Sequence, residues 1–256
     1  MLLSNKVAII TGGARGMGRG IALKFAEEGC DIAIADILEK AGAETVKDVA
    51  KTGRKAIYIN CDVSSIQQVQ DMVKQVISKF GKIDILVNDA GTGYYPKPIA
   101  EITEQEWERT QSVNLKGVFL VCQAVTPYLK EQKSGKIINI SSISAISPVS
   151  PVSYSSSKGG VMTLTIDLAM ELAKDNVCVN AIMPGLIRTE MIDDTIPEGT
   201  SKDEYYENIK SIIPMQRVGK PEDVAGAAVF LASSLSDYVT GDRILVGGGA
   251  PYRAGL

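Results

Sequence analysis

Val7-Ala8-Ile9-Ile10-Thr11-Gly12-Gly13-Ala14-Arg15-Gly16-Met17-Gly18 runs from four apolar residues into a cluster of glycines. The apolar part has the length and character of a buried strand. Beyond the glycines, Ile21, Ala22, Phe25 and Ala26 recur at helical spacing until Glu28-Gly29. Ile32 to Ala35 then reads as a second strand, closed by Asp36. Strand, glycine turn, helix, strand and acid follow one another in little more than thirty residues. Glycines permit a tight turn and let backbone approach a pyrophosphate, whose charge meets the helix N-terminus. The spacing here is G-x-x-x-G-x-G, at Gly12, Gly16 and Gly18. With Arg15 and Met17 these residues form the expected phosphate-end binding turn of a dinucleotide site. Asp36 is placed to accept hydrogen bonds from the adenosine ribose, which favours NAD over NADP. A 2′-phosphate there would face a carboxylate, a repulsion on the scale of ~4 kcal/mol for a close pair. Arg15 is the one residue that argues the other way.

The alternation continues to the end of the chain. Strands are expected at Lys55 to Asn60, Ile83 to Val87, Ile137 to Ile140, Val177 to Met183 and Ile244 to Val246. Between them run helices from Glu39 to Lys51, from Ser64-Ser65 to Gly81, and from Thr103 through Val121 and Ala124. Two more are expected from Tyr154 to Leu172 and from Pro221 onward. Thr103 with Glu106 has the form of a capping box, and Pro221 suits a first helical position. This pattern predicts one α/β domain with a doubly wound, Rossmann-type parallel sheet of about seven strands and helices on both faces. Ligands of such sheets bind at the C-terminal strand ends, near the switch in strand order. Asp36, Asp62, Asn88, Ser142 and Pro184-Gly185 all follow strands and fall on that edge. The stretch from Glu190 to Pro214 interrupts the rhythm and is expected to be a mobile substrate lid with short helices.

Tyr154-Ser155-Ser156-Ser157-Lys158 opens a helix that is apolar nearly all round. Residues four apart share a helix face, so the phenol and the ammonium point into one space. A free tyrosine has a pKa of about 10, and a neighbouring cation favours its ionised form. A three-unit drop needs roughly 4 kcal/mol, the coulombic scale of one ammonium at about 4 Å in a partly dry site. Asn114, in the middle of the helix that starts at Thr103, is unfavourable there without a special role.

Composition sets the limits. The chain has 256 residues, a net charge of −3 and no histidine. Histidine triads and histidine-ligated metals are therefore excluded, and no metal site is expected. Nothing in the charge suggests a nucleic-acid partner. The four cysteines, Cys30, Cys61, Cys122 and Cys178, lie in apolar runs and are expected to be buried and reduced. No apolar run nears the ~18 residues of a membrane span, and a cytoplasmic protein is expected.

Taken together, these motifs resemble the short-chain dehydrogenase/reductase family in its compact single-domain form, from Lys6 to Gly249. The resemblance rests on Thr11 to Gly18, Asp62-Val63, Asn88-Asp89-Ala90-Gly91, Asn114, Ser142, Tyr154-x-x-x-Lys158 and Pro184 to Thr189. It implies a hydride transfer between a nicotinamide dinucleotide and an alcohol or ketone. Tyr154 would exchange the hydroxyl proton, and Lys158 would lower its pKa and hold the nicotinamide ribose. Ser142 would bond the substrate oxygen, and Asn114 would hold a water in a relay to Lys158. Asp62, Val63 and Asn88 would take the adenine end, with Ala90 and Gly91 beside them. Pro184, Gly185, Ile187 and Thr189 would lie at the nicotinamide end. An NADPH-linked ketoreductase of the 3-oxoacyl-carrier-protein type, or a dinucleotide-binding regulator without turnover, are the alternatives.

Two departures from the family pattern stand out. Asp89 occupies a position that is usually Asn, where a carboxylate cannot donate as an amide does. Ser142 lies twelve residues before Tyr154, where thirteen is common, so Ser141 would restore the count; the Asn-x-Ser-Ser pattern nevertheless favours Ser142. The expected substrate walls are Ser144, Ile146, Pro148, Val149, Tyr94, Tyr95 and the lid. The near all-round apolar helix from Tyr154 suggests a subunit contact, as does the C-terminal run from Val246 through Leu256, and the family habit implies a homotetramer.

Overall fold

The structure is a computed structural model that describes residues 1–93, 97–147 and 150–250. The expected positions Tyr94, Tyr95, Pro148 and Val149, and the tail from residue 251, lie outside the described residues. Seven strands form one sheet: β1 (Val7–Thr11), β2 (Asp31–Asp36), β3 (Ala56–Asn60), β4 (Ile85–Asn88), β5 (Gly135–Ile140), β6 (Val177–Pro184) and β7 (Arg243–Val246). Their order is β3-β2-β1-β4-β5-β6-β7, and every neighbouring pair is parallel. The direction of winding reverses between β1 and β4, which is where a ligand crevice forms on such a sheet.

Side chains alternate across the strands, and the two faces bury two separate cores. Val7 and Ile9 of β1 and Ala33 and Ala35 of β2 join α3 (Ile66–Phe80), α5 (Gly117–Gln132) and α6 (Val152–Leu172) on one face. Ala8, Ile10, Ile32 and Ile34 join α1 (Gly16–Glu27), α2 (Glu39–Ala50) and α9 (Pro221–Ala232) on the other. The four cysteines are buried and free. Among the described residues, no helix is long and apolar enough to cross a membrane.

Local signals end the elements where they were expected. The Ser65 hydroxyl accepts from the Gln68 N–H at the start of α3, and Gly81 closes that helix in the left-handed region at φ 80°. Thr103 and Glu106 form a capping box at α4 (Glu104–Gln111). Pro221 stands in the first turn of α9. Strand β4 starts at Ile85 rather than Ile83, because Asp84 turns its carboxylate back to the Val7 N–H at 2.9 Å.

A second expectation is corrected. The helix from Thr103 is not continuous: α4 and α5 are joined by a π-helical turn at Ser112–Lys116. That turn holds Asn114, fully buried. Wide turns of this kind expose backbone groups and are concentrated at functional sites. Within the segment from Glu190 to Pro214, two short helices form, α7 (Glu190–Asp193) and α8 (Lys202–Lys210). Helix α6 leaves Ile166 and Met170 outward, the latter 80% exposed.

Candidate active site

The glycine turn after β1 is packed so closely that side chains are excluded. Gly12 has φ +69°, and a Cβ on it would stand 2.7 Å from the Ala90 nitrogen. A Cβ on Gly18 would collide with the Gly12 carbonyl. The turn thus lies directly against the loop after β4, and Thr11 ties the two together. Its hydroxyl accepts from the N–H groups of Asp89 and Ala90 at 3.2 and 3.3 Å. Thr11 was read only as part of the motif; this role became visible once β1 and β4 were neighbours.

A cleft of ≈ 250 Å³ opens above this turn. Gly12, Arg15, Gly16 and Met17 form one wall, and Ala90, Gly91 and Thr189 face them. Asp36, Asp62 and Val63 line its far end. The Asp36 carboxylate is fixed by two backbone donors, Ala14 N–H and Leu38 N–H, both at 3.0 Å. Asp62 accepts from the Ser64 N–H and hydroxyl, and from Arg109 at 3.3 Å. Burial opposes ionisation of Asp62, but the Ser64 and Arg109 donors outweigh it and hold the carboxyl below its usual range. Arg109 also lines the cleft and was not among the expected site residues. Arg15 reaches Asp194 at 3.8 Å across the cleft mouth.

Four expected residues place no side chain in the cleft. Asn88 turns beneath the sheet edge, where its amide donates to Asn139 Oδ1 at 2.8 Å and to Cys122 Sγ at 3.3 Å. Ile187 is packed into the core shared with α1 and α9. Pro184 ends β6, and the Gly185 N–H is taken by the Val246 carbonyl at 2.9 Å. A strand-end side chain points inward or outward according to register, which spacing along the chain does not fix.

The second half of the site is built by α6, the loop after β5 and the π turn. Lys158 is buried, and its ammonium donates to the Ile140 carbonyl at 2.8 Å. It stands 5.7 Å from the centroid of the Tyr154 ring. Ser141 and Ser142 have opposite fates. The Ser141 hydroxyl donates to the Lys158 carbonyl at 2.9 Å, which spends it on helix α6. The Ser142 hydroxyl donates to Ser144 Oγ at 3.0 Å, and the Ser144 and Ser150 hydroxyls are 2.6 Å apart. Asn114 embraces Thr92: its Oδ1 accepts from the Thr92 N–H at 2.8 Å and its amide donates to the Thr92 carbonyl at 2.9 Å. The same amide donates to the Ser157 hydroxyl at 3.1 Å, which donates to the Tyr154 carbonyl at 2.7 Å. Asn114 Oδ1 and Lys158 Nζ both approach Gly91, at 3.6 and 3.8 Å from where its Cβ would be.

Asp89 adds a buried titratable group to this set. Burial lifts its carboxyl to about 7, against the opposing pull of Lys158 and the Gly18 N–H. Burial likewise pulls Lys158 down to about 8, and Asp89 acts to hold it up. Burial thus favours the neutral form of each group, and each opposes that effect on the other.

A closed glycine cradle and a backbone-fixed acid at the end of the neighbouring strand fit a dinucleotide. The comparisons agree with that architecture. Residues 12–251 match the family model described as Enoyl-(Acyl carrier protein) reductase. The (2S)-[(R)-hydroxy(phenyl)methyl]succinyl-CoA dehydrogenase subunit BbsD of Thauera aromatica is 40% identical over 255 residues, covering 100% of both chains. The 3-oxoacyl-[acyl-carrier-protein] reductase FabG of Thermotoga maritima is 39% identical, over 97% of this chain and 99% of its own. Levodione reductase superposes with a TM-score of 0.92 at 30% identity, covering 96% of this chain and 98% of its own. A short-chain dehydrogenase/reductase from Burkholderia xenovorans superposes with a TM-score of 0.93 at 34% identity, over 99% of both chains. The fold and the cleft define an oxidoreductase built on a doubly wound sheet. The chain belongs to the short-chain dehydrogenase/reductase family, whose members use NAD or NADP.

Proposed function

We propose that the protein is an NAD-linked dehydrogenase/reductase that interconverts a secondary alcohol and a ketone, with Tyr154 as the acid/base. The observation that carries this reading is the buried Lys158 ammonium, anchored on the Ile140 carbonyl, beside the Tyr154 ring. An ammonium held there favours the phenolate, which can take or return a hydroxyl proton. The Ser142 hydroxyl donates to the substrate oxygen and Lys158 holds the nicotinamide ribose. Asn114, braced on Thr92 and Ser157, keeps the π turn open toward Lys158 for a proton relay. The bound dinucleotide supplies or accepts the hydride.

Gly12, Gly16, Met17 and Gly18 receive the pyrophosphate through backbone, with Arg15 at its edge. Asp62 and Val63 border the adenine, with Ala90 and Gly91 beside them. Asn88, Pro184, Gly185 and Ile187 serve through main chain and packing, and Thr189 through its hydroxyl. Asp36 accepts from the adenosine ribose. The two residues after it, Ile37 and Leu38, are exposed and apolar, so no cation follows it to receive a 2′-phosphate. That supports NAD over NADP. The segment from 190 to 214 acts as the lid, joined to the glycine turn by Arg15 and Asp194. The outward Ile166 and Met170 support assembly through α6 into a homotetramer.

The names of the relatives favour one narrower substrate class. A hydroxyacyl-CoA dehydrogenase subunit and a 3-oxoacyl-[acyl-carrier-protein] reductase are both similar over nearly the full chain. A 3-hydroxyacyl or 3-oxoacyl thioester is therefore the second reading, with NADPH reduction as its extreme form. The test is formation of reduced nicotinamide from NAD or NADP with secondary alcohols and with 3-hydroxyacyl-CoA thioesters. Faster turnover with NAD is expected. Equal rates with both dinucleotides would remove the role given to Asp36.

A further inference from the structure

Asp89 stands where the family pattern has an amide, and it is a buried carboxyl with one oxygen, Oδ1, unpartnered among the described residues. Its Oδ2 lies over the first turn of α1, 2.8 Å from where a Cβ on Gly18 would stand. The charged groups acting on it are Lys158 from α6 and Asp36 from β2, and α1 offers the Gly18 N–H. Asp89 also borders the dinucleotide cleft. The carboxylate and an incoming pyrophosphate therefore compete for the same positive end of α1. Two anions drawn to one small set of donors in a dry site repel strongly, and the cheaper outcome is protonation.

We propose that Asp89 acts in dinucleotide binding as a neutral carboxylic acid, so that binding takes up a proton from solvent. This rests on the reading of the glycine cleft as a dinucleotide site. A protonated carboxyl has one O–H donor beside an acceptor oxygen, which reproduces the hydrogen-bonding character of an Asn side chain. With the carboxylate ionised, the Asp89–Lys158 pair carries no net charge. With the proton added, the pair is cationic and suits a pyrophosphate. Affinity accordingly falls as pH rises through neutrality, by up to about tenfold per pH unit for one linked proton. A chain with Asn at this position has no carboxyl to protonate.

The test is calorimetric titration of the protein with NAD from about pH 6 to about pH 8.5, in buffers of differing ionisation enthalpy. It is paired with infrared difference spectra of protein carrying ¹³C-labelled aspartate. The proposal expects weaker binding at higher pH, proton uptake on binding, and an isotope-sensitive carboxylic-acid C=O band that NAD induces. Asp89→Asn should bind NAD and lack that band. Affinity that does not change with pH would overturn the proposal. Proton uptake without the acid band would also overturn it, because the proton would then reside on Lys158. Failure to bind NAD at every pH would instead remove the dinucleotide reading on which the proposal stands.

Discussion

The Lys158 ammonium is pinned between the Ile140 carbonyl, 2.8 Å away, and the ring of Tyr154, 5.7 Å from its centroid. A lysine so fixed cannot swing out to solvent, so when protonated its ammonium acts on Tyr154 from one place. Tyr154→Phe should lower kcat by roughly 10²–10⁴-fold, the usual worth of a positioned proton donor. NAD affinity should change little. Steady-state kinetics together with a binding titration checks both halves, and near-normal turnover in the variant would refute the acid/base role.

Ser141 and Ser142 offer a paired test, because only one hydroxyl is consumed by helix α6. Ser142→Ala should reduce kcat by on the order of 10²-fold, as for removal of a donor to a reacting oxygen, and cost about 1 kcal/mol through its lost bonds to Ser144. Ser141→Ala should keep kcat and cost about 1 kcal/mol in a denaturant melt. The reverse pattern would transfer the substrate-binding role to Ser141.

Asp36 is held by two backbone N–H groups and so cannot swing away from a 2′-phosphate. Asp36→Asn removes the charge and keeps an acceptor. The ratio of kcat/KM for NAD to that for NADP should fall by roughly tenfold to a hundredfold, equivalent to about 1.4–3 kcal/mol. An unchanged ratio would mean that selection between the dinucleotides lies elsewhere.

Asn114→Ala leaves both backbone groups of Thr92 without their side-chain partner. A loss of about 1–3 kcal/mol of stability is expected from the buried groups left unpaired, with a fall in kcat. Thermal melts and kinetics on the same preparation measure the two effects. A stable variant with full activity would show that the π turn forms without Asn114.

Asp223 provides a pH dependence of stability. Its carboxylate pairs with Arg217 at 2.7 and 2.8 Å and accepts from the Lys220 N–H at 2.8 Å. Arg217 foremost, with Lys220 helping and partial burial opposing, lowers its pKa to about 2. The folded-state value is below the unfolded value of about 3.9. The stabilisation is therefore complete above about pH 4 and is lost as pH falls toward about 2. Asp223→Asn keeps an acceptor for the Lys220 N–H but loses the charged pair with Arg217, and should cost about 0.5–1 kcal/mol at neutral pH, a deficit that should shrink in acid. Urea midpoints across that range would show it, and a pH-independent deficit would contradict it.

What could be read along the chain was what is local. The turn from Gly12 to Gly18, the acid at Asp36 and the capping box at Thr103 each lie within a few residues of the features they serve. The strand–helix alternation then fixed which edge of the sheet carries the chemistry. The π turn at Ser112–Lys116 was missed because an apolar stripe runs through it with nearly helical spacing; the misfit of Asn114 was its only sign. The inward turn of Asn88 depends on Cys122 and Asn139, and the exposure of Asp89 to Lys158 joins residues far apart in the chain. Such meetings are set by tertiary packing, and periodicity carries no record of them.

Beneath the cleft, the Asn139 side chain accepts from Asn88 and donates to Thr165 at 3.0 Å, linking β4, β5 and α6. Apolar layers can slide a little and still touch, whereas amide-to-hydroxyl links in a dry interior hold at one spacing and weaken steeply away from it. The loop after Asn88, the serines after Ile140 and the helix bearing Tyr154 are thus indexed to one another like parts on a common jig. Damage at Asn139 should accordingly abolish alignment abruptly, instead of blurring it by degrees.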